Sequence, residues 1–173
     1  KPVPADAMTG ADAVVHLAGE GIADKRWTAA RKERLRASRI EGTHHVAEAI
    51  RAASPRPKVF VSASAIGYYG DVPEGDVTES SPAGKDFLAE LCAAWEAEAR
   101  AAESPGVRVV LLRTGIVLGR GGGALGKMLL PFKLGAGGPM GSGRQWMSWI
   151  HLDDEIGLIL HALDTPGVQG PLN

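Results

Sequence analysis

Cysteine is almost missing from this chain: Cys92 is the single one in 173 residues. One thiol excludes an internal disulfide and any zinc site built on a cysteine cluster. An excess of either charge is missing too. Nineteen Lys and Arg stand against 20 Asp and Glu, for a formal net charge of −1. No global field therefore draws the chain to nucleic acid or to an anionic membrane. No apolar run approaches the roughly 18 residues of a membrane span. The start, Lys1-Pro2-Val3-Pro4, carries no apolar signal-peptide core. These absences lead to the expectation of a reducing cytoplasm, with no nucleic-acid or membrane partner. What is present is ordinary for a globular domain, 45% hydrophobic and 23% charged residues, and long enough for one buried core.

Glycine is abundant, at 23 residues, and it clusters beside apolar strands. Clustered glycine has two readings: close backbone approach to a ligand, or plain loop chemistry. The apolar run 12–18 reads as a short buried strand closed by Gly19. A helix is expected over 28–53, with Thr28 as N-cap. Thr43, Val46, Ala47 and Ile50 share one face of it. A second buried strand follows at 58–64, then a glycine- and proline-rich loop. The next helix, near 85–104, carries the stripe Phe87, Leu88, Leu91, Cys92 and Trp95. A third strand covers 107–113, a loop 115–123, a short helix 124–134, an extended piece 146–151 and a last helix 152–163, and the pattern ends near Gly170. Strand and helix alternate as in an α/β fold with a parallel, doubly wound sheet. The whole of 1–173 reads as one domain, with a substrate-side segment at 120–151. In such sheets ligands sit outside the carboxyl ends of the strands, which selects 17–20, 62–69 and 113–119.

Four segments in order carry a resemblance: "DAVVHLAG" at 12–19, "KVFVSASAIGYYG" at 58–70, "VVLLRTGIVLG" at 109–119 and "GSGRQWMSWIHLDD" at 141–154. They resemble the fourth, fifth and sixth strands and the later substrate-side segment of the extended short-chain dehydrogenase/reductases. The combination of "HLAGEGIADKRW", "SASAIGYYG" and "GSGRQWMSWIH" is narrower. It resembles the atypical group called the epimerase family, similar to nucleotide-sugar epimerases. The resemblance implies a Rossmann-like fold incomplete at its N-terminus, an NAD(P)-dependent oxidoreductase or epimerase activity, and NADP as cofactor, with NAD left open. It implies a small polar substrate and leaves a homodimer open. It also implies that Leu17, Ala18, Gly19, Ser62, Ala63, Thr114, Gly115 and Val117 line the dinucleotide.

Two departures stand out. The superfamily's opening strand and its Gly-x-x-Gly-x-x-Gly turn, which meets the pyrophosphate at a helix N-terminus, have no counterpart here, and the C-terminal end is missing as well; the sequence reads as a fragment. The Tyr-x-x-x-Lys pair is also missing. Four residues past Tyr68 and Tyr69 stand Val72 and Pro73, and the helix expected to carry the pair reads Asp86-Phe87-Leu88-Ala89-Glu90-Leu91-Cys92. A non-catalytic NADP(H)-binding sensor or structural protein is therefore the alternative to an enzyme.

The candidate catalytic residues are Ser64, Tyr68 and Tyr69. Ser64 ends a strand at the expected catalytic-serine position; otherwise its hydroxyl bonds its own turn. Tyr68 and Tyr69 are the nearby phenols able to replace the missing one; otherwise they pack beneath the loop. Arg144 and Gln145 are substrate candidates, and the resemblance implies a third, Arg39, on the helix beside the strand ends. Arg144 and Gln145 follow the glycine-rich loop 135–143, where a guanidinium and a carboxamide suit a phosphate or carboxylate. Of Trp146 and Trp149, the spacing expects one to pack inward. Trp27 either closes the other side of the cleft or caps a helix. His16 reads as a satisfied structural histidine. His44 and His45 lie mid-helix without carboxylate partners at ligand spacing, so no metal is expected. Asp153 and Asp154 suit the first turn of a helix. The basic residues between Lys25 and Arg39 read as a solvated helix surface.

Overall fold

The computed structural model describes residues 2–4, 6–139 and 141–173. Its centre is a four-stranded, all-parallel sheet. The strands are β1 (Ala13–His16), β2 (Val59–Ala65), β3 (Arg108–Thr114) and an edge strand, Gly170–Leu172. The last is β6 in chain order, because β4 (Ile116–Leu118) and β5 (Trp149–His151) form a separate two-stranded parallel sheet. The main sheet runs in the order β1-β2-β3-β6.

Period-two alternation decides which helix covers which face. Phe60, Val109 and Leu111 point to one side, against Ala47 and Ile50 of α1 (Ala29–Ala52) and Ala99 of α2 (Phe87–Arg100). Val59, Val61, Val110 and Leu112 point to the other, against Ile159, Ala162 and Leu163 of α4 (Leu152–Asp164). Helices on both faces make the sheet doubly wound. Caps fix the helix starts: Thr28 accepts from Arg31 N in α1 and Asp86 from Ala89 N in α2. In α4, Asp153 and Asp154 lie in the first turn, where the helix dipole favours carboxylates.

Three departures from the sequence expectations have local causes. Residues 116–118, expected as loop, pair with β5 because Gly115 lets the chains touch; a Cβ there would stand 2.7 Å from Ser148 O. The expected end near Gly170 is instead the start of β6, whose Pro171 is tolerated because the strand is an edge. Neither Trp146 nor Trp149 packs inward; they are 83% and 59% exposed. β5 pairs with β4 alone, and the Trp146 indole donates to Pro73 O at 3.3 Å. The helix α3 (Gly123–Lys133) likewise buries none of its side chains among the described residues.

Phe60 is fully buried at the centre of the α1–α2 face. Phe60→Ala is expected to cost about 3–5 kcal/mol, measured by urea unfolding. A loss below about 1 kcal/mol would show that this face is not the main core.

Candidate functional site

Parallel pairing brings three chain segments to one edge. His16 lies opposite Ser62, and Ala65 opposite Thr114. Leu17, Ala18 and Gly19 leave β1 exposed at that edge. Ser62, Ala63 and Ser64 end β2, and Thr114, Gly115 and Val117 lead from β3 into β4.

The exit of β1 is stapled to α1. Glu20 N donates to Ser38 Oγ at 3.2 Å, and Arg31 donates to the Glu20 carboxylate and to Gly21 O. Arg31 is thus buried, not part of a solvated basic surface. Arg39 lies against Gly19, where an added Cβ would meet its Cζ at 3.2 Å. His16 bonds Thr43 Oγ1 through Nε2 at 3.1 Å, and the Trp95 indole donates to the same hydroxyl at 2.7 Å. Burial lowers the His16 pKa. Trp27 donates to Ile22 O and meets the Phe87 ring edge-on, tying the 20–27 loop to α2. His44, with no carboxylate at ligand spacing in the sequence, bonds the distant Glu98 of α2 at 2.9 Å; helix packing joins residues that sequence spacing keeps apart.

Beneath β2 lies a buried polar network that the sequence reading missed. Ser64 Oγ donates to Glu96 Oε1 at 2.7 Å. Arg113 grips the same carboxylate with two bonds, Nε to Oε1 and Nη2 to Oε2, both 2.8 Å. Arg113 Nη1 donates to the Tyr69 hydroxyl at 2.7 Å and to Glu79 O at 3.1 Å. Tyr69 in turn donates to Asn173 Oδ1 at 2.5 Å. The Tyr68 ring centre lies 3.6 Å from the Arg113 guanidinium carbon, within cation–π range. Burial pulls the Arg113 pKa down, but its bonds to Glu96 and Tyr69 outweigh that and raise it above the ordinary arginine value. Two signals could have found the network. Glu96 stands four residues beyond Cys92 on the apolar stripe, and Arg113 closes the apolar run 109–112.

The structure therefore unites Ser64, Tyr68 and Tyr69 around Arg113. The helix position expected for a proton-transfer pair holds Leu88 and Cys92, packed on Gly67; a Cβ there would be 3.3 Å from Leu88 Cβ and 3.8 Å from Cys92 Sγ. Burial, and then Glu96, push the Cys92 thiol up to about 11. A cavity of about 260 Å³ opens beside Arg113, Thr114, Gly115, Trp149 and Glu155. Thr114 Oγ1 donates to Glu155 there at 2.8 Å. Arg144 and Gln145 are exposed on a segment that Trp146 moors to the 71–75 loop. The preceding loop contains Met140, which lies outside the described residues. Among the described residues no group of three His, Cys, Asp or Glu is arranged to hold a metal, and no helix is long and apolar enough to cross a membrane.

Residues 5–171 match the profile of the NAD dependent epimerase/dehydratase family. The chain is 48% identical over 168 residues to a chloroplastic SDR39U1 homolog of Arabidopsis thaliana, an epimerase family protein, covering 96% of this chain and 48% of that protein. An epimerase family protein of Mycobacterium bovis is 46% identical over 167 residues, with 96% and 55% covered. The chain thus spans about half the length of these relatives. The structure of human epimerase family protein SDR39U1 with NADPH superposes with a TM-score of 0.89 at 42% identity, covering all of this chain and 62% of that one. A nucleoside-diphosphate sugar epimerase of Corynebacterium glutamicum superposes at 0.85 with 35% identity, covering all of this chain and 38% of that one.

Removing charge from one partner of the buried pair leaves the other uncompensated. Glu96→Gln is expected to destabilise the fold by about 3–5 kcal/mol, read from denaturant unfolding. A change within about 0.5 kcal/mol would contradict the pairing. The Cys92 thiolate should appear in ultraviolet absorbance only as the pH nears about 11 in the folded protein, and at ordinary thiol pH after unfolding. Equal titration of the two states would remove burial as the cause.

Proposed function

The chain belongs to the NAD dependent epimerase/dehydratase family, and from that premise we propose an NADP(H)-dependent oxidoreductase or epimerase acting on a small polar substrate. The observation that carries this reading is the convergence of 17–19, 62–64 and 114–117 on one carboxyl edge of a parallel sheet. The residues there are small or expose backbone, which suits a flat ligand held by main-chain groups. The human relative's NADPH supports the choice of dinucleotide. Bound there, the dinucleotide would supply the hydride chemistry.

The chain's own residues hold and move the proton. Arg113 donates to the Tyr69 oxygen at 2.7 Å, where a fixed cation stabilises developing negative charge. Tyr68 lies on the same guanidinium. Ser64 positions the network through Glu96 and stands on the strand end nearest the substrate in this reading. Arg144 and Gln145 contribute from the substrate side. A cytoplasmic location and a homodimer belong to the same reading.

One observation favours the alternative of a non-catalytic NADP(H)-binding protein. Ser64 is already engaged by Glu96, and Leu88 and Cys92 fill the space against Gly67. The two readings part on a single substitution. In the full-length protein, fluorescence titration should show NADPH binding; binding of neither NADPH nor NADH would defeat both. Tyr68→Phe or Tyr69→Phe should lower NADPH-dependent turnover of a carbonyl substrate panel by about 100-fold, with cofactor affinity barely changed. Turnover unaffected by either substitution removes the phenols as proton donors; turnover absent from the wild type across the panel selects the binding protein.

A further inference from the structure

Arg31, Arg108 and Arg113 each meet two or more acceptors: Arg31 holds Glu20 and Gly21 O, although its Nε has no partner, Arg108 holds the Leu163 and Val168 carbonyls, and Arg113 holds Glu96, Tyr69 and Glu79 O. Arg39 is held by far fewer. Its only hydrogen bond to the described residues runs from Nη1 to Ser38 Oγ at 3.5 Å. No carboxylate among the described residues lies within ion-pair distance of it. Glu20, whose charge it senses, is gripped by Arg31 and Arg34.

The guanidinium is nonetheless held in place. Its carbon lies 5.2 Å from the Trp95 ring centre, a cation–π contact, and Trp95 is pinned by its bond to Thr43. It abuts Gly19, where a Cβ would come within 3.2 Å of Cζ. A fixed, half-buried cation with idle donors thus borders the strand end that lines the crevice. Burial lowers its pKa with no full partner to offset the desolvation. A bound anion would supply that offset, and the planar fork of arginine matches phosphate and carboxylate oxygens.

We propose that Arg39 is an anion-binding residue of the crevice, taking a phosphate or carboxylate oxygen of the bound molecule beside Gly19. The inference rests on the proposed dinucleotide site and adds the chemical class that this wall selects. The anion comes either from the dinucleotide's own phosphates or from an acidic substrate beside it, and the test separates the two.

Full-length wild type and Arg39→Gln are compared in two calorimetric titrations: NADPH into free protein, and inorganic phosphate into NADPH-saturated protein. Arg39→Gln should weaken one of them by about tenfold or more, as expected of a charge-assisted bond. Loss in the first assigns the dinucleotide; loss in the second assigns a substrate anion. Wild-type affinity in both, at an unchanged melting temperature, overturns the proposal. Should Arg39→Gln fail to fold, Arg39→Met, which keeps the stem, carries the same comparison. If the wild type binds no NADPH, the proposed function falls; phosphate titrated into the free protein then reads Arg39 by the same criterion.

Discussion

The Glu96–Arg113 pair is the constraint on which the edge of this molecule depends. Both side chains are almost wholly buried, so each would carry a heavy desolvation cost alone. Two parallel hydrogen bonds remove that cost for the carboxylate, and the remaining Arg113 donors go to Tyr69 and Glu79 O. The pair therefore joins α2 to β3 and fastens the turn after β2, the loop at Glu79 and, through Tyr69, Asn173 beyond β6. A hydrophobic pair could fill the volume, but it would not fix the rotation of Ser64, Tyr68 and Tyr69 about one centre.

Around that centre the sheet does the coarser positioning. Parallel strands present their carboxyl ends together. Glycine is required at two of these points. Gly115 lets β4 pass against Ser148, and Gly84 lets the 71–85 loop return over Tyr69, where a Cβ would stand 2.6 Å from the Tyr69 carbonyl oxygen. The loop that covers the network is thus held by backbone contact as much as by Arg113.

The crevice divides its charge between two arginines with different roles. Arg113 is spent on the protein: carboxylate, phenol and carbonyl occupy its donors. Arg39 is fixed by an aromatic ring, which orients a cation without consuming its N–H groups. The first builds the fold at the strand ends; the second leaves hydrogen-bonding capacity facing the space beside Gly19.

Periodicity and composition alone determined the alternation of strands and helices, the three central strands, the Thr28 cap and the edge at which 17–20, 62–69 and 113–119 meet. These follow from local rules: period-two burial, capping chemistry and the handedness of parallel crossovers. The ordered motifs likewise made the family legible. Tertiary structure decided what local rules cannot reach. Glu96 and Arg113 are 17 residues apart, and Tyr69 and Asn173 104 apart, so no spacing pairs them. β4 and β6 are three residues each, too short for a pattern and formed only because a neighbour offers hydrogen bonds. The exposure of Trp146 and Trp149 was likewise a matter of tertiary packing. Arg39 was a named residue in the sequence, but that its charge meets no carboxylate among the described residues is a property of where the other side chains went.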